Sequence, residues 1–281
     1  MRSRIFFVSL FAASAAFFSC HQQAGAWERG HVKINPFVKF EEQYDTNIFY
    51  DPTDPNHDFI SILTPGVTSE FGFGDQGRQK VRANYKVDLG MFAKYHDQNY
   101  GNHDVLGEVE LNFGENYRWT TGDNFLFTSD RAGTEFEDRT LRKLNTLYTL
   151  FEADYNKFGW DAGYSLYNVD YLSDTLDSID RYENALWTTA YWKIQPKTKV
   201  LLEFKYTNIQ YPDASGRNAN DFRIMTGLKN EITAKISGIA KVGFKVKDYN
   251  SKTNPDWYNV CAEIGVDYAY NDRTNFLFSY V

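Results

Sequence analysis

Between Lys80 and Tyr95 the chain reads KVRANYKVDLGMFAKY, and its residues sort into two faces. Val81, Ala83, Tyr85, Val87, Leu89, Met91, Ala93 and Tyr95 fall on one, and Lys80, Arg82, Asn84, Lys86, Asp88 and Lys94 on the other. A period of two over this length predicts a long β-strand with one apolar and one charged face. Strands of ordinary globular sheets run about 5–6 residues, so the length itself is informative. The following segment repeats the pattern. Val105, Gly107, Val109, Leu111, Phe113, Tyr117 and Trp119 alternate with Glu108, Glu110, Asn112, Asn116 and Arg118. Successive strands of this kind need apolar surroundings on one side and water or paired charge on the other. A closed β-barrel crossing a membrane supplies both while satisfying its backbone hydrogen bonds.

The same alternation runs through the rest of the chain. A first strand is expected over Val32 to Tyr44, then a long polar connection from Asp45 to Asp58, then Phe59 to Phe73 and a tight Gly74–Gly77 turn. After the strand at Lys80 to Tyr95 comes a loop from His96 to Asp104. The next strand is expected to end at a turn over Thr120 to Asp123. Phe125 to Phe127 opens another strand, and Leu144 to Tyr155 is apolar on both faces, Tyr148 and Leu150 opposite Leu147 and Phe151. Short turns at Asn156–Lys157, Gln195–Thr198 and Asn271–Thr274 alternate with long loops near residues 170–180, 212–221 and 254–255. Bacterial outer-membrane barrels keep this rhythm of short periplasmic turns and longer surface loops. The fold class expected is all-β, a transmembrane antiparallel up-and-down barrel of about 12–14 strands. The pattern itself counts about thirteen, whereas ordinary bacterial barrels are even-numbered. Either the barrel is incomplete at the C-terminus after Val281, or a strand near residues 125–155 is miscounted.

Composition explains how so aromatic a chain stays hydrophilic on average. Aromatic residues make up 17%, with 20 Tyr and 23 Phe, yet after the amino terminus there is no run of about 18 apolar residues to make a spanning helix. Alternation hides the apolar half of each strand from a window average. A net charge of −7 and the lack of a basic run with interleaved aromatics argue against nucleic acid.

The amino terminus predicts an export signal. Arg2 and Arg4 precede an apolar stretch from Ile5 to Ser19, and Ala24-Gly25-Ala26 suits cleavage before Trp27. Residues 1–26 are therefore assigned to the signal and 27–281 to the barrel. The alternative is a lipid anchor at Cys20, which lacks the preceding Leu of such sites. Once Cys20 is removed, Cys261 is the only cysteine left and no intrachain disulfide can form.

The opening Asn35-Pro36 strand, the run Tyr44-Asp45-Thr46-Asn47-Ile48-Phe49-Tyr50, the Leu63-Thr64-Pro65-Gly66 segment and the Asn84-Tyr85 strand together resemble the outer-membrane β-barrel porins. Some members of that family are encoded beside extracellular polysaccharide or exosortase-type gene clusters. The resemblance implies an outer-membrane barrel of unspecified substrate, adds polysaccharide-export components as partners, and supplies no catalytic residues. Phe276 to Tyr280 resembles the start of a strand that continues in relatives, in keeping with an incomplete barrel.

Candidate chemistry gathers on the polar faces. Lys80, Arg82 and Lys86 stand beside Glu108 and Glu110 on the next strand, with Arg118 beyond, and Lys241, Lys245 and Lys247 form a second basic run near Lys229 and Glu231. These residues are expected to line the lumen, as a charged eyelet steering solutes or as ion pairs stiffening the wall. Asp51, Asp54 and Asp58, and separately Asp174, Asp177 and Asp180, could offer carboxylates to a divalent cation or simply be solvated loop charge. His96, Asp97, His103 and Asp104 form a loose metal-type cluster in the expected loop. No Gly-x-Ser-x-Gly elbow or His-Glu-x-x-His helix occurs, so neither an enzyme nor a cofactor is expected. Trp119, Phe158, Trp160, Trp192, Tyr268 and Tyr270 near the short turns, with Tyr44, Tyr95, Tyr171, Tyr182, Trp257 and Tyr258 near the long loops, suggest two aromatic girdles against outer-membrane lipid and lipopolysaccharide. The function expected is porin-like passage of small solutes or a secreted polymer. The alternative is a plugged structural or docking barrel of an envelope or polysaccharide-export assembly.

Overall fold

The computed structural model describes residues 16–23, 25–49, 51, 53–130, 139–233, 235–251, 254–271 and 274–280. Its strands are numbered in chain order. A leading segment β1 (Ala16–Gln23) and a short β2 (Trp27–Arg29) precede β3 (Val32–Asp45), β4 (Asp58–Phe73) and β5 (Gln79–Phe92). Next come β6 (Tyr100–Phe113), β7 (Tyr117–Asp130), β8 (Thr140–Asp154), β9 (Phe158–Tyr171) and β10 (Arg181–Gln195). The chain continues through β11 (Thr198–Gln210), β12 (Ala219–Glu231), β13 (Ile236–Tyr249), β14 (Trp257–Asn271) and β15 (Thr274–Tyr280). All belong to one sheet in which each strand from β3 onward pairs antiparallel with the next, the up-and-down order expected from the alternation. β1, part of the expected signal, pairs with the free edge of β3, and β2 pairs with the start of β3. Among the described residues no pairing joins β15 to β1 or β3, so the sheet is not closed.

The register sets the inclination of the strands. Direct partners run from Ile34 on β3 through Ala83, Asp123, Leu166 and Asn208 to Asp248 on β13, one partner on every intervening strand. Ile34 stands near the short-turn end of β3 and Asp248 at the long-loop end of β13, so each strand slips by about one residue against its neighbour. With a rise of ~3.3 Å and a spacing of ~4.8 Å, that slip tilts the strands by about 35°, the inclination of a barrel wall.

One expected turn is displaced. The β6–β7 hairpin closes over residues 114–116, where Gly114 takes φ +67°, and Thr120 to Asp123 lie within β7. A left-handed backbone position favours Gly114 as the turn residue. Gly122 is needed for another reason, because a Cβ there would come within 2.7 Å of the Tyr148 hydroxyl and 2.9 Å of the Gly107 carbonyl oxygen. The expected loop from His96 to Asp104 is shorter too, since β6 begins at Tyr100 and takes up His103 and Asp104. Tyr95, counted on the strand from its alternation, lies beyond the end of β5 in the loop.

The two faces of the sheet carry opposite chemistry. Along β9 to β14 one face presents Trp160, Leu186, Trp192, Leu202, Ile224, Phe244 and Val260, all exposed, with Trp192 and Phe244 each 63% accessible. The other face is concave and polar, for side chains two strands apart meet across it. Tyr148 on β8 donates to Glu108 on β6 over β7, at 2.5 Å, and Lys241 on β13 reaches Glu203 on β11 over β12, at 3.1 Å. The buried apolar residues that pack together, Ile48, Ile60 and Phe92, gather at the long-loop end of the concave face under Phe49, Tyr95 and Tyr100. Asp58, fully buried, holds this corner by accepting the backbone N–H groups of Phe59, Lys94 and Tyr95 at 2.8, 2.9 and 3.0 Å.

Candidate functional site

Two clusters dominate the concave face. In the first, β4 supplies Glu70, β5 Lys80 and Arg82, and β6 Glu108 and Glu110, brought level because Arg82 pairs directly with Glu70 on one side and Glu108 on the other. The Arg82 guanidinium spreads its donors over three carboxylates, at 3.1 Å to Glu70, 2.6 Å to Glu108 and 3.0 Å to Glu110. A planar fork of fixed donors suits that task where a single ammonium would not. Lys80 joins Glu70 at 3.5 Å, and Tyr148 adds its hydroxyl to Glu108. Alongside, Arg118 clasps Glu152 through two parallel bonds of 2.6 and 2.7 Å, and Lys86 meets Asp104 at 3.5 Å.

The second cluster lies on β11 to β14. Lys241 is held between Glu203 at 3.1 Å and Glu263 at 2.7 Å with a side chain only 8% exposed, and Arg223 also binds Glu203 at 2.7 Å. Lys245 pairs with Asp221 at 3.1 Å and lies over the Trp257 ring, while Lys247 lies over Tyr249. In a medium of effective dielectric ~20, charges ~4 Å apart attract by about 4 kcal/mol, most of which offsets lost hydration where water still reaches them. The half-exposed pairs therefore contribute little stability but fix side-chain positions. The buried Lys241 is different, because it cannot be left without its partners.

All nine residues singled out from the sequence, Lys80, Arg82, Lys86, Glu108, Glu110, Arg118, Lys241, Lys245 and Lys247, stand on this face. Their partners were only half anticipated. Glu231 plays no part beside Lys241, being an exposed residue at the β12–β13 turn whose cross-strand partner is Ser237. Glu70, Glu152, Glu203, Asp221 and Glu263 supply the missing charge. Glu203 was invisible to local spacing because it lies two strands away.

Other candidates separate. His103 points to the apolar face and shares a 2.9 Å hydrogen bond with Tyr85, whereas Asp104 turns to the concave face, so the loose cluster with His96 and Asp97 does not assemble. Among the described residues no group of His, Cys, Asp or Glu is placed to hold a metal. Asp51 organises its own loop by accepting from Thr53 and Asp54, bonds that hold its carboxyl below the usual range, and Asp58 is engaged by backbone as described. Cys261 is a free thiol on the concave face opposite Gly243.

The short-turn girdle is present, with Trp119 and Trp160 exposed on the apolar face and their indole N–H groups donated to Thr149 and Thr188 on neighbouring strands, at 2.6 and 2.7 Å. The side chain of Tyr270 lies outside the described residues. At the long-loop end only part of the girdle survives. Tyr44, Tyr182 and Tyr258 face outward, but Tyr95 packs on Phe49, Tyr171 lies under Arg142, and Trp257 lies under Lys245. A single inward step of the two-residue period accounts for Tyr171 and Trp257.

An up-and-down sheet with an apolar outer wall and a charge-lined concave wall defines a β-barrel protein. No family model and no curated protein matches the sequence. Among solved structures the chain is similar to in-vitro folded OmpT, an outer membrane protein of Vibrio cholerae, at 12% identity over 94% of this chain and 95% of that one, with a TM-score of 0.48. It is also similar to a loop L8 deletion mutant of the same protein, at 12% identity, 95% and 100% coverage and a TM-score of 0.45. A trimer form gives 10% identity, 96% and 100% coverage and a TM-score of 0.44.

Proposed function

We propose that this chain is a porin-like barrel of a bacterial outer membrane, passing solutes along the concave face without covalent chemistry or cofactor. The observation that carries the proposal is the inversion of burial. Phe244 and Trp192 are 63% exposed while the Lys241 side chain is 8% exposed, an arrangement that water would penalise and lipid favours. Large contiguous apolar surface on a monomer marks an interaction surface, and a band circling one whole face of a sheet fits a bilayer. The Arg82 cluster spans β4 to β6 and the Lys241 cluster β11 to β14 on the same concave face, so in a closed barrel both would line the lumen, where charge can act on a passing solute. Export depends on residues 1–26 acting as a signal, and sequencing the amino terminus of membrane-extracted protein should find Trp27 first.

A plugged structural or docking barrel is the second reading, favoured by the pairing of so many concave-face charges and by the Ile48, Ile60 and Phe92 cluster at the long-loop mouth. Planar-bilayer recording of purified protein that shows heat-modifiable migration separates the two. Discrete conductance steps support the pore, whereas a folded but silent protein leaves the plugged barrel.

A further inference from the structure

The short-turn end of the concave face holds a row of residues that sheet stability disfavours. Lys193 on β10 is the direct cross-strand partner of Lys199 on β11, and Lys199 is the partner of Lys229 on β12. Like charges directly opposite one another, with Cβ atoms ~4.5–5.5 Å apart, destabilise a sheet. Asp154 neutralises only Lys193, through its ammonium. Neither Lys199 nor Lys229 has an ion-pair partner among the described residues, in contrast to Arg82 and Lys241. The three lysines line one cavity of about 210 Å³, shared with Glu152, Asp161 and Tyr191. Glu152 is already clasped by Arg118 and Asp154 by Lys193, which leaves Asp161, among the described residues, as the one carboxylate of the cavity without a salt bridge.

We propose that Lys193, Lys199 and Lys229 form a binding step for multivalent oxyanions, solutes that carry phosphate or clustered carboxylate groups, at the short-turn mouth. Each ammonium offers three donors on a flexible stem and can turn toward a shared anion. An anion with several oxygens relieves the repulsion along the whole row and gains charge-assisted hydrogen bonds from each member. Lys157 and Lys197, in the adjoining turns, extend the basic rim. The step deepens the pore reading, since it would favour particular solutes at one entrance, yet binding can be measured without any conductance.

The test is calorimetric titration of the folded, full-length protein in micelles at low ionic strength, with inorganic pyrophosphate in one arm and citrate in the other. Saturable binding is expected, weakened at least about tenfold in the K199Q/K229Q double variant and unchanged in Lys143→Gln, whose side chain pairs with Asp170 on the opposite face at the long-loop end of β8. Binding of pyrophosphate alone identifies phosphate as the group recognised, and binding of citrate alone identifies carboxylate. The double variant should melt no lower than the parent, because it removes two like-charge contacts. If it does not fold, Lys229→Gln alone decides the matter by the same loss of affinity. No saturable binding of either anion, or equal affinity in the folded variants, overturns the proposal. A protein that binds pyrophosphate through this row but forms no channels would remove the pore and keep the anion step, and channels without binding would do the reverse.

Discussion

Lys241 and Phe244 stand three residues apart on β13 and meet opposite surroundings. The ammonium is shut between Glu203 and Glu263, and the phenyl ring is left bare on the other face. In a water-soluble sheet the two would have changed places. Comparing the two faces of the same strands therefore tests the membrane assignment more directly than any property of a single residue. The largest effect should come from the concave face. Lys241→Ala leaves two carboxylates facing each other with little water, and breaking such a pair costs about 3–5 kcal/mol. The urea midpoint of the micelle-bound protein should fall accordingly. A fall no larger than that of Lys247→Ala would mean that the wall around Lys241 is open to solvent.

The other face is probed by Phe244→Arg. Toward the middle of a bilayer an outward arginine costs about 2–4 kcal/mol, falling to about 0–1 near the interface. Folding into lipid vesicles should therefore suffer clearly at Phe244 and hardly at Tyr258→Arg, which sits at the long-loop rim of β14. Were both substitutions neutral, the apolar face would not meet hydrocarbon and the comparison would fail.

Within the concave face the first cluster can be divided further. Gly122→Val should push the Tyr148 ring off its neighbour and break its bond to Glu108, a contact to a charged acceptor worth about 1.5–3 kcal/mol. Tyr148→Phe removes the bond without the clash, so the valine variant should be the less stable of the two in urea. A smaller shift follows from Arg82→Gln. Its side chain is 30% exposed, so lost stability is discounted for screening to about 1 kcal/mol, and the clearer signal is electrical. Glu70, Glu108 and Glu110 would lose the positive charge they share, keeping only Lys80 and the Tyr148 and Asn112 hydrogen bonds, and the reversal potential in a salt gradient should move toward cation preference. An unchanged potential would place this cluster outside the conducting path.

The alternation was legible because a two-residue period survives any error in counting strands. On β8 it separates Tyr148 and Leu150 from Leu147 and Phe151 but cannot say which pair faces out, because all four look alike in sequence; the pairing of Tyr148 with Gly122 and its bond to Glu108 turn the first pair inward. What it could not show was whatever depends on register. Both Gly114 and Gly122 look like turn residues, and only the pairing of Gly122 with Tyr148 reveals why one of them lies within a strand. The partners of Lys241 come from β11 and β14, and the lysine row spans β10 to β12, so neither is a local pattern. The acidic loops were ambiguous for a different reason. Carboxylates that bind cations and carboxylates that accept backbone N–H groups have the same spacing, and Asp58 belongs to the second kind.

Asp180 gives the smallest and most local test of that distinction. It closes the β9–β10 loop by accepting the Tyr171 N–H at 2.8 Å, while burial first, and then the nearby Asp170, Asp177 and Asp213, push its carboxyl above the ordinary value near 3.8. A raised value in the folded loop means that the ionised form is less favourable there than in the unfolded chain. The resulting penalty is absent at a pH below the ordinary carboxylate range, grows as the pH rises through it, and is complete above the raised folded value. Acidification should therefore tighten the loop, seen as slower opening-limited exchange of the Tyr171 amide after correction for the intrinsic rate. Asp180→Asn keeps an oxygen to accept from Tyr171 and removes the charge, so it should hold the amide at its acid-like protection across the same pH span. If the asparagine variant still loosens as the pH rises, the repulsion resides in Asp170, Asp177 and Asp213 themselves, and Asp180 is only their neighbour.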